Sequence, residues 1–301
     1  MRLATIVHQG RNRVGRLTPD GLHVELFDID ATHGAQALIE RGPAALPAVD
    51  GRISLAQASL IAPLPRPRRN LFCVGRNYHA HAQELRETVF KDIAADPQAT
   101  STGSGQAWPI VFTKVPECVV GPDADVHLPG AAVSSQIDYE AELAVIIGRG
   151  GRNIARADAM GHVYGYTIVN DVTARDVQMR HQQWDLGKSF DSFCPMGPWI
   201  GTADELDGSD TRVRCWVTPK GGSAELRQDA RTSDLIFDIP SLIETCSRGI
   251  TLLPGDVIAT GTAAGVGMGM KPPRWLQHGD VVRIEIDGLG ILQNRFVEEN
   301  V

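Results

Sequence analysis

Asp138-Tyr139-Glu140-Ala141-Glu142-Leu143-Ala144-Val145-Ile146-Ile147-Gly148 joins two glutamates to an unbroken apolar run. The run is short, rich in β-branched residues and closed by glycine, so it reads as a buried strand. Side chains on a strand alternate between faces. Glu140 and Glu142 therefore share a face, about 7 Å apart along the backbone. Two like charges beside a hydrophobic run repel each other and need a cation or good solvation. A second apolar strand, Tyr166-Thr167-Ile168-Val169-Asn170-Asp171, also ends in an acid. Three carboxylates with waters make an oxygen site that suits Mg²⁺ or Mn²⁺ better than Zn²⁺. The same acids would also suit a solvent-facing strand edge on which each pairs with Arg or Lys.

Outward from this stretch, strands dominate. Arg212 to Thr218 and Ala224 to Gln228 flank a Pro219-Lys220-Gly221-Gly222 turn and read as a hairpin. Val281 to Ile286 and Ile291 to Val297 flank Asp287-Gly288 and read as another. Helices are expected over 172–183 and 239–248. Asn70 to Gly75 reads as a strand and Tyr78 to about Glu87 as a helix. Residues 88–108 then turn rich in Ala, Ser, Thr, Gly and Asp, the character of a lid or binding loop. Leu3 to Val7, Arg13 to Leu17 and Leu22 to Phe27 read as short strands, with a helix from Ala35 to Arg41. Pro63-Leu64-Pro65-Arg66-Pro67 is stiff and extended and marks a boundary. The expected division is a small β-rich unit over 1–65 and a larger domain over 66–301, with a lid at about 78–109. No repeat and no regular β-α alternation is present. The fold class is α+β, dominated by strands, with a rolled mixed sheet.

With 301 residues and 43% apolar content the chain can bury a full core. Its formal charge of −7 argues against a nucleic-acid partner. Arg66, Arg68 and Arg69 read as a solvated linker. No stretch approaches the about 18 apolar residues of a membrane helix, and the N-terminus turns polar too soon for a secretory signal. The five cysteines are odd in number and form no CxxC, which fits reduced thiols and a cytoplasmic location.

Three further features carry chemistry. Lys188, between Trp184 and Phe190, suits an anionic substrate or a carboxylate near a metal, or an ordinary snorkelling lysine. His81 and Glu84 fall on one helix face, a spacing at which a carboxylate orients an imidazole, although surface pairs share that spacing. Thr260-Gly261-Thr262-Ala263-Ala264-Gly265-Val266-Gly267-Met268-Gly269 is neither a Walker A loop nor a dinucleotide fingerprint. Its amides and Thr262 suit a carboxylate, and a loop needing positive φ would read the same way.

These pieces in this order resemble the fumarylacetoacetate hydrolase superfamily. The resemblance runs from Asn70 to Val297 and adds Gly75-Arg76-Asn77-Tyr78, Phe112-Thr113-Lys114, Asn170 to Gln178 and Gly187 to Phe190. It implies a β-roll, a homodimer, and a divalent metal on Glu140, Glu142 and Asp171. It also implies catalytic roles for His81, Glu84 and Lys188, and substrate contacts at Arg76, Tyr78, Gln178, Gly261 and Thr262. The implied reaction is Mg²⁺- or Mn²⁺-dependent hydrolysis of the C–C bond of an acylpyruvate, such as fumarylpyruvate or maleylpyruvate from aromatic ring cleavage. The alternatives are an isomerase of the 2-hydroxyhepta-2,4-diene-1,7-dioate type, an oxaloacetate decarboxylase, or a non-catalytic metal-binding protein. Two departures from the family pattern stand out: a longer stretch from Glu87 to Pro109, and Ala263 where proline is common.

Overall fold

The computed structural model describes residues 1–42, 45–88, 108–180 and 183–299. Most of the expected lid, residues 89–107, lies outside them. The largest sheet has twelve strands. Its main path runs Val49–Ser54, His23–Phe27, Arg11–Leu17, Arg2–His8, Cys194–Thr202, Val163–Asn170, Ala141–Ile147, Val257–Ala259, Leu71–Gly75, Ile110–Lys114. Neighbours are mostly antiparallel, but Val257–Ala259 runs parallel to Leu71–Gly75. The N-terminal strands are continuous with this sheet through the pairing of Leu3 with Ile200. A five-stranded sheet follows the order Glu225–Arg231, Arg212–Thr218, Val281–Ile286, Gly290–Glu298, Asp125–Leu128. Both expected hairpins belong to it. The strand-dominated, mixed α+β class expected from the sequence is the class observed.

Alternation along Ala141–Ile147 explains how the sheets stack. Leu143, Val145 and Ile147 enter a core with Val213, Ile284, Phe296 and the helix Ile239–Ser247. Ala144 and Ile146 point the other way, toward Leu3, Leu38, Leu64 and Met196. The strand is buried on both faces, which is why it reads as a continuous apolar run rather than an alternating one. The helix Ile239–Ser247 is capped by Asp238, whose side chain accepts from the Ser241 N–H.

The helix expected over 172–183 is corrected. Thr173–Ala174 forms a short strand with Ile137–Asp138, and helix covers only Arg175–Gln178 and Asp185–Lys188. Val172 and Thr173 are β-branched, and pairing with Ile137–Asp138 supplies the backbone partners that a helix would otherwise supply. His181 and Gln182 lie outside the described residues. All five cysteines are free and buried. No helix among the described residues is long and apolar enough to cross a membrane.

Candidate active site

Strand register brings the three acids together. Ala141 pairs with Asn170 and Glu142 with Val169. One step further along the same antiparallel register, Asp171 stands opposite Glu140, and the Asp171 N–H donates to the Glu140 carbonyl at 2.9 Å. Opposite residues project to one face, so Asp171 joins Glu140 and Glu142 there. Asn170 supports the crossing by accepting the Glu140 N–H on Oδ1 at 3.1 Å. One oxygen from each of the three acids lies within 4.8 Å of the others, and all three residues are buried. The alternative of a solvent-facing strand edge does not survive this burial.

Ion pairing is the other part of that alternative, and the structure shows it for two of the acids. Glu140 meets Arg175 at 2.6 Å and Lys188 at 2.7 Å. Asp171 meets Lys188 at 2.8 Å on Oδ2 and Lys114 at 2.8 Å on Oδ1. Glu142 has no ion pair among the described residues and accepts the Gly261 N–H at 2.8 Å. Burial raises the Glu140 carboxyl, but Lys188, Arg175 and His81 outweigh it and hold the group down at about 2. Burial also raises Glu142, and Asp171 and Glu140 push it further in the same direction, to well above the usual range. With Asp138 included, four buried acids face three buried cations, Lys114, Arg175 and Lys188. One negative charge is left over, and Glu142 carries the strain. An all-oxygen set with excess negative charge fits a hard divalent cation, so these three acids can hold a metal ion.

Glu140 and Glu142 line an open cleft of about 420 Å³, with Asp171 buried beside them. Its polar lining includes His81, Glu140, Glu142, Arg175, Gln178 and Lys188, and Phe112, Met179, Trp184 and Met268 are among its apolar lining. Lys188 is not a snorkelling lysine: it is 1% exposed, and its Nζ lies 4.9 Å from the centre of the Phe112 ring. His81 is likewise no surface residue. It is 3% exposed, on the helix His79–Thr88, with Nδ1 3.1 Å from Glu84 Oε2. An ionised Glu84 makes Nδ1 the donor and leaves the Nε2 lone pair as the base.

Among the expected substrate contacts, Arg76, Gln178 and Thr262 line the cleft. Arg76 adopts φ 54°, a left-handed conformation rare for residues other than glycine and common at binding sites. Thr262 Oγ1 donates to the Ala141 carbonyl at 3.1 Å and accepts from Gln228 Nε2 at 2.7 Å. Tyr78 and Gly261 stand behind the lining. Tyr78 is buried, and burial followed by the charge of Glu142 raises its phenol. Gly261 has φ 102°, and a Cβ there would lie 2.8 Å from Asn77 Cβ. Only glycine brings its amide to Glu142 without strain.

Asp138, Arg175 and Lys114 stand inside the quoted motifs but carry no assigned role at the sequence level. Arg175 Nε donates to Asp138 Oδ2 at 2.9 Å and Nη1 to Gln178 Oε1 at 3.2 Å. Lys114 is 0% exposed, and its Nζ donates to the carbonyls of Val172 and Lys188. Burial disfavours its charge, but Asp171 together with the nearby Cys118, Cys194 and Cys73 outweighs burial and keeps the ammonium above its ordinary value. A charged residue closing the apolar strand Ile110–Lys114 was the available signal. Lys114→Met should destabilise the protein by about 3–5 kcal/mol, the cost of removing one partner from a buried ion pair. Urea unfolding that shows less than about 1 kcal/mol would mean that Asp171 does not depend on it.

Residues 70–297 match the family described as fumarylacetoacetate (FAA) hydrolase C-terminal. An oxaloacetate tautomerase of Bacillus subtilis is 46% identical over 242 residues, 80% of this chain and 74% of its own. A solved fumarylacetoacetate hydrolase from Exiguobacterium antarcticum superposes with a TM-score of 0.81 at 40% identity, covering 99% of this chain and 100% of its own. A solved 2-hydroxyhepta-2,4-diene-1,7-dioate isomerase from Mycobacterium marinum gives 0.74 at 32% identity, covering all of both chains. On the family match and these relatives together, the chain belongs to the fumarylacetoacetate hydrolase family.

Proposed function

We propose that this enzyme interconverts the keto and enol forms of a small 2-oxo dicarboxylic acid, with oxaloacetate the first substrate to test and Mg²⁺ or Mn²⁺ on Glu140, Glu142 and Asp171. The observation that carries the reading is His81, held at Nδ1 by Glu84, opening onto the same cleft as Glu140 and Glu142. The name of the Bacillus relative supports the substrate. It fits the isomerase or oxaloacetate alternative of the sequence analysis better than acylpyruvate hydrolysis.

A divalent ion held by the acids would polarise the 2-oxo group and favour its enolate. Lys188 adds a cation beside that position, where negative charge develops. His81 Nε2 removes a proton from C3 of the keto acid, and the imidazolium then delivers that proton to the 2-oxo oxygen; the reverse direction runs the same two transfers backwards. Glu84 stabilises the imidazolium formed between those two events. The net change is one proton moved between C3 and the 2-oxo oxygen. The apolar lining of Phe112, Trp184, Met179 and Met268 limits the water around the enolate.

His81→Ala should lower the rate of keto–enol equilibration by about 10²–10⁴-fold, the usual cost of losing an acid–base group. The assay follows decay of enol absorbance with Mg²⁺ present and scores pyruvate in parallel. An unchanged equilibration rate in His81→Ala removes His81 from the proton path. Acylpyruvate hydrolysis is the second reading, favoured by the likeness to the Exiguobacterium hydrolase, and there the same Nε2 would activate water. Pyruvate and a carboxylic acid released from an acylpyruvate, with no acceleration of oxaloacetate equilibration, would replace the first reading by the second.

A further inference from the structure

The glycine-rich turn Thr260–Gly269 has a definite use in the structure. Besides Gly261, whose amide meets Glu142, two further segments of it turn their amides toward acids of this chain. The Gly265 N–H donates to Glu84 Oε1 at 3.0 Å. The Gly267 and Met268 N–H groups donate to the two oxygens of Asp138 at 2.7 and 3.0 Å. Glycine is what permits this approach. A Cβ on Gly269 would lie 2.2 Å from Glu84 Cδ and from Glu84 Oε1. A Cβ on Gly267 would lie 2.8 Å from Asp138 Oδ1 and 2.1 Å from the Arg274 carbonyl. The carboxylate of Glu84 thus rests directly on the turn, with Oε1 on the Gly265 amide and Oε2 at His81 Nδ1. A glutamate on a helix surface has several rotamers and loses them only where something holds it.

We infer that the Gly265 amide and the bare Cα of Gly269 form a clamp that fixes the Glu84 carboxylate against His81 Nδ1. They are positioning elements: they act through Glu84 to select the tautomer with Nε2 as the base. The kinetic part of this inference rests on the proposed role of His81 in proton transfer; the structural part does not. The same turn reaches the acid cluster by a second route. Asp138, held by Gly267 and Met268, holds Arg175, and Arg175 reaches Glu140. One backbone segment therefore sets the His–Glu pair and a metal-binding acid in a common frame.

The test compares Gly269→Ala, Glu84→Gln, Glu84→Asp and the two double variants. Ring ¹⁵N NMR of histidine-labelled protein reads the His81 tautomer without substrate, with the signal assigned by its loss in His81→Asn. Gly269→Ala should lose the Nδ1–H signature and lower kcat by about 10²-fold, while Mn²⁺ affinity changes by less than about threefold. Gly269→Ala combined with Glu84→Gln should be no slower than Glu84→Gln alone, because both remove the same contact. An aspartate at position 84 is one methylene shorter and leaves room for the new methyl, so Gly269→Ala should have little effect in the Glu84→Asp background. That background also decides the matter if Gly269→Ala alone fails to fold. An unchanged His81 tautomer in Gly269→Ala, or rate losses that multiply in the double variant with Glu84→Gln, overturns the clamp. If wild-type enzyme leaves oxaloacetate untouched, the proposed reaction falls, and the tautomer measurement still decides the clamp.

Discussion

Glu142→Gln is expected to make the EDTA-treated protein more stable and to abolish its use of a divalent ion. The expected rise in Tm is about 2–4 °C, which corresponds to about 1 kcal/mol in a domain somewhat smaller than this one. The expected fall in Mg²⁺ or Mn²⁺ affinity is at least about 100-fold, beyond what loss of a supporting contact does. The opposite signs follow from one fact. Glu142 is buried beside Glu140 and Asp171 with no cation of its own among the described residues. Glutamine keeps the shape and the acceptor for the Gly261 amide, and removes the need either to hold a proton on this carboxyl or to bear its repelling charge.

The same carboxyl sets a pH dependence. Its folded value lies well above the ordinary 4.5. Between those two values the folded chain holds a proton that the unfolded chain has released, so stability falls as pH rises above about 4.5 until folded Glu142 ionises. Glu140 works the other way. Held at about 2, it contributes stability that is present above the ordinary value and lost as pH falls toward 2. The Tm difference between Glu142→Gln and wild type in EDTA should therefore widen with rising pH. Saturating Mg²⁺ should reverse the order by binding the wild-type fold. Calorimetric scans in EDTA that leave Glu142→Gln less stable than wild type across this range would show that the acid is not strained.

Lys188→Met should separate binding from turnover. Lys188 Nζ occupies the space between Glu140 Oε2 and Asp171 Oδ2, oxygens that a cation would also use. Two like charges 4 Å apart interact by about 4 kcal/mol at the effective dielectric of a protein surface site, so removing one favours a second cation. Divalent affinity should rise by about tenfold or more. Turnover should fall by about 10²–10³-fold, the size of effect seen when a preorganised donor to a developing oxyanion is removed. Titration calorimetry with Mn²⁺ and the enol-decay assay read the two effects separately. Weaker metal binding in Lys188→Met would mean that the ammonium organises the acids rather than competing for them.

Much of the acid cluster was legible before any coordinates. Glu140 and Glu142 differ by two positions on an apolar strand, and alternation of side chains is a property of the local backbone. His81 and Glu84 were legible for the same kind of reason, three positions apart on a helix. The misread segment, 172–183, shows where local reasoning fails. Its apolar spacing suits a helix, but Ile137–Asp138 supplies a strand partner from more than thirty residues away. Thr262 shows a second limit. Its hydroxyl looks available for a ligand in the sequence, yet Ala141 and Gln228 engage it.

The sequence by itself determined the strand-rich class, the buried central strand, and the shared face of its two glutamates, because each depends on bonds and contacts within a few residues. Only the tertiary structure decided that Asp171 stands across from Glu140, that Lys114, Arg175 and Lys188 balance all but one of the four acids in the cluster, and that a glycine turn grips Glu84. Those facts depend on strand register and on ion pairs between distant segments, and a one-residue slip in register would send Asp171 to the opposite face.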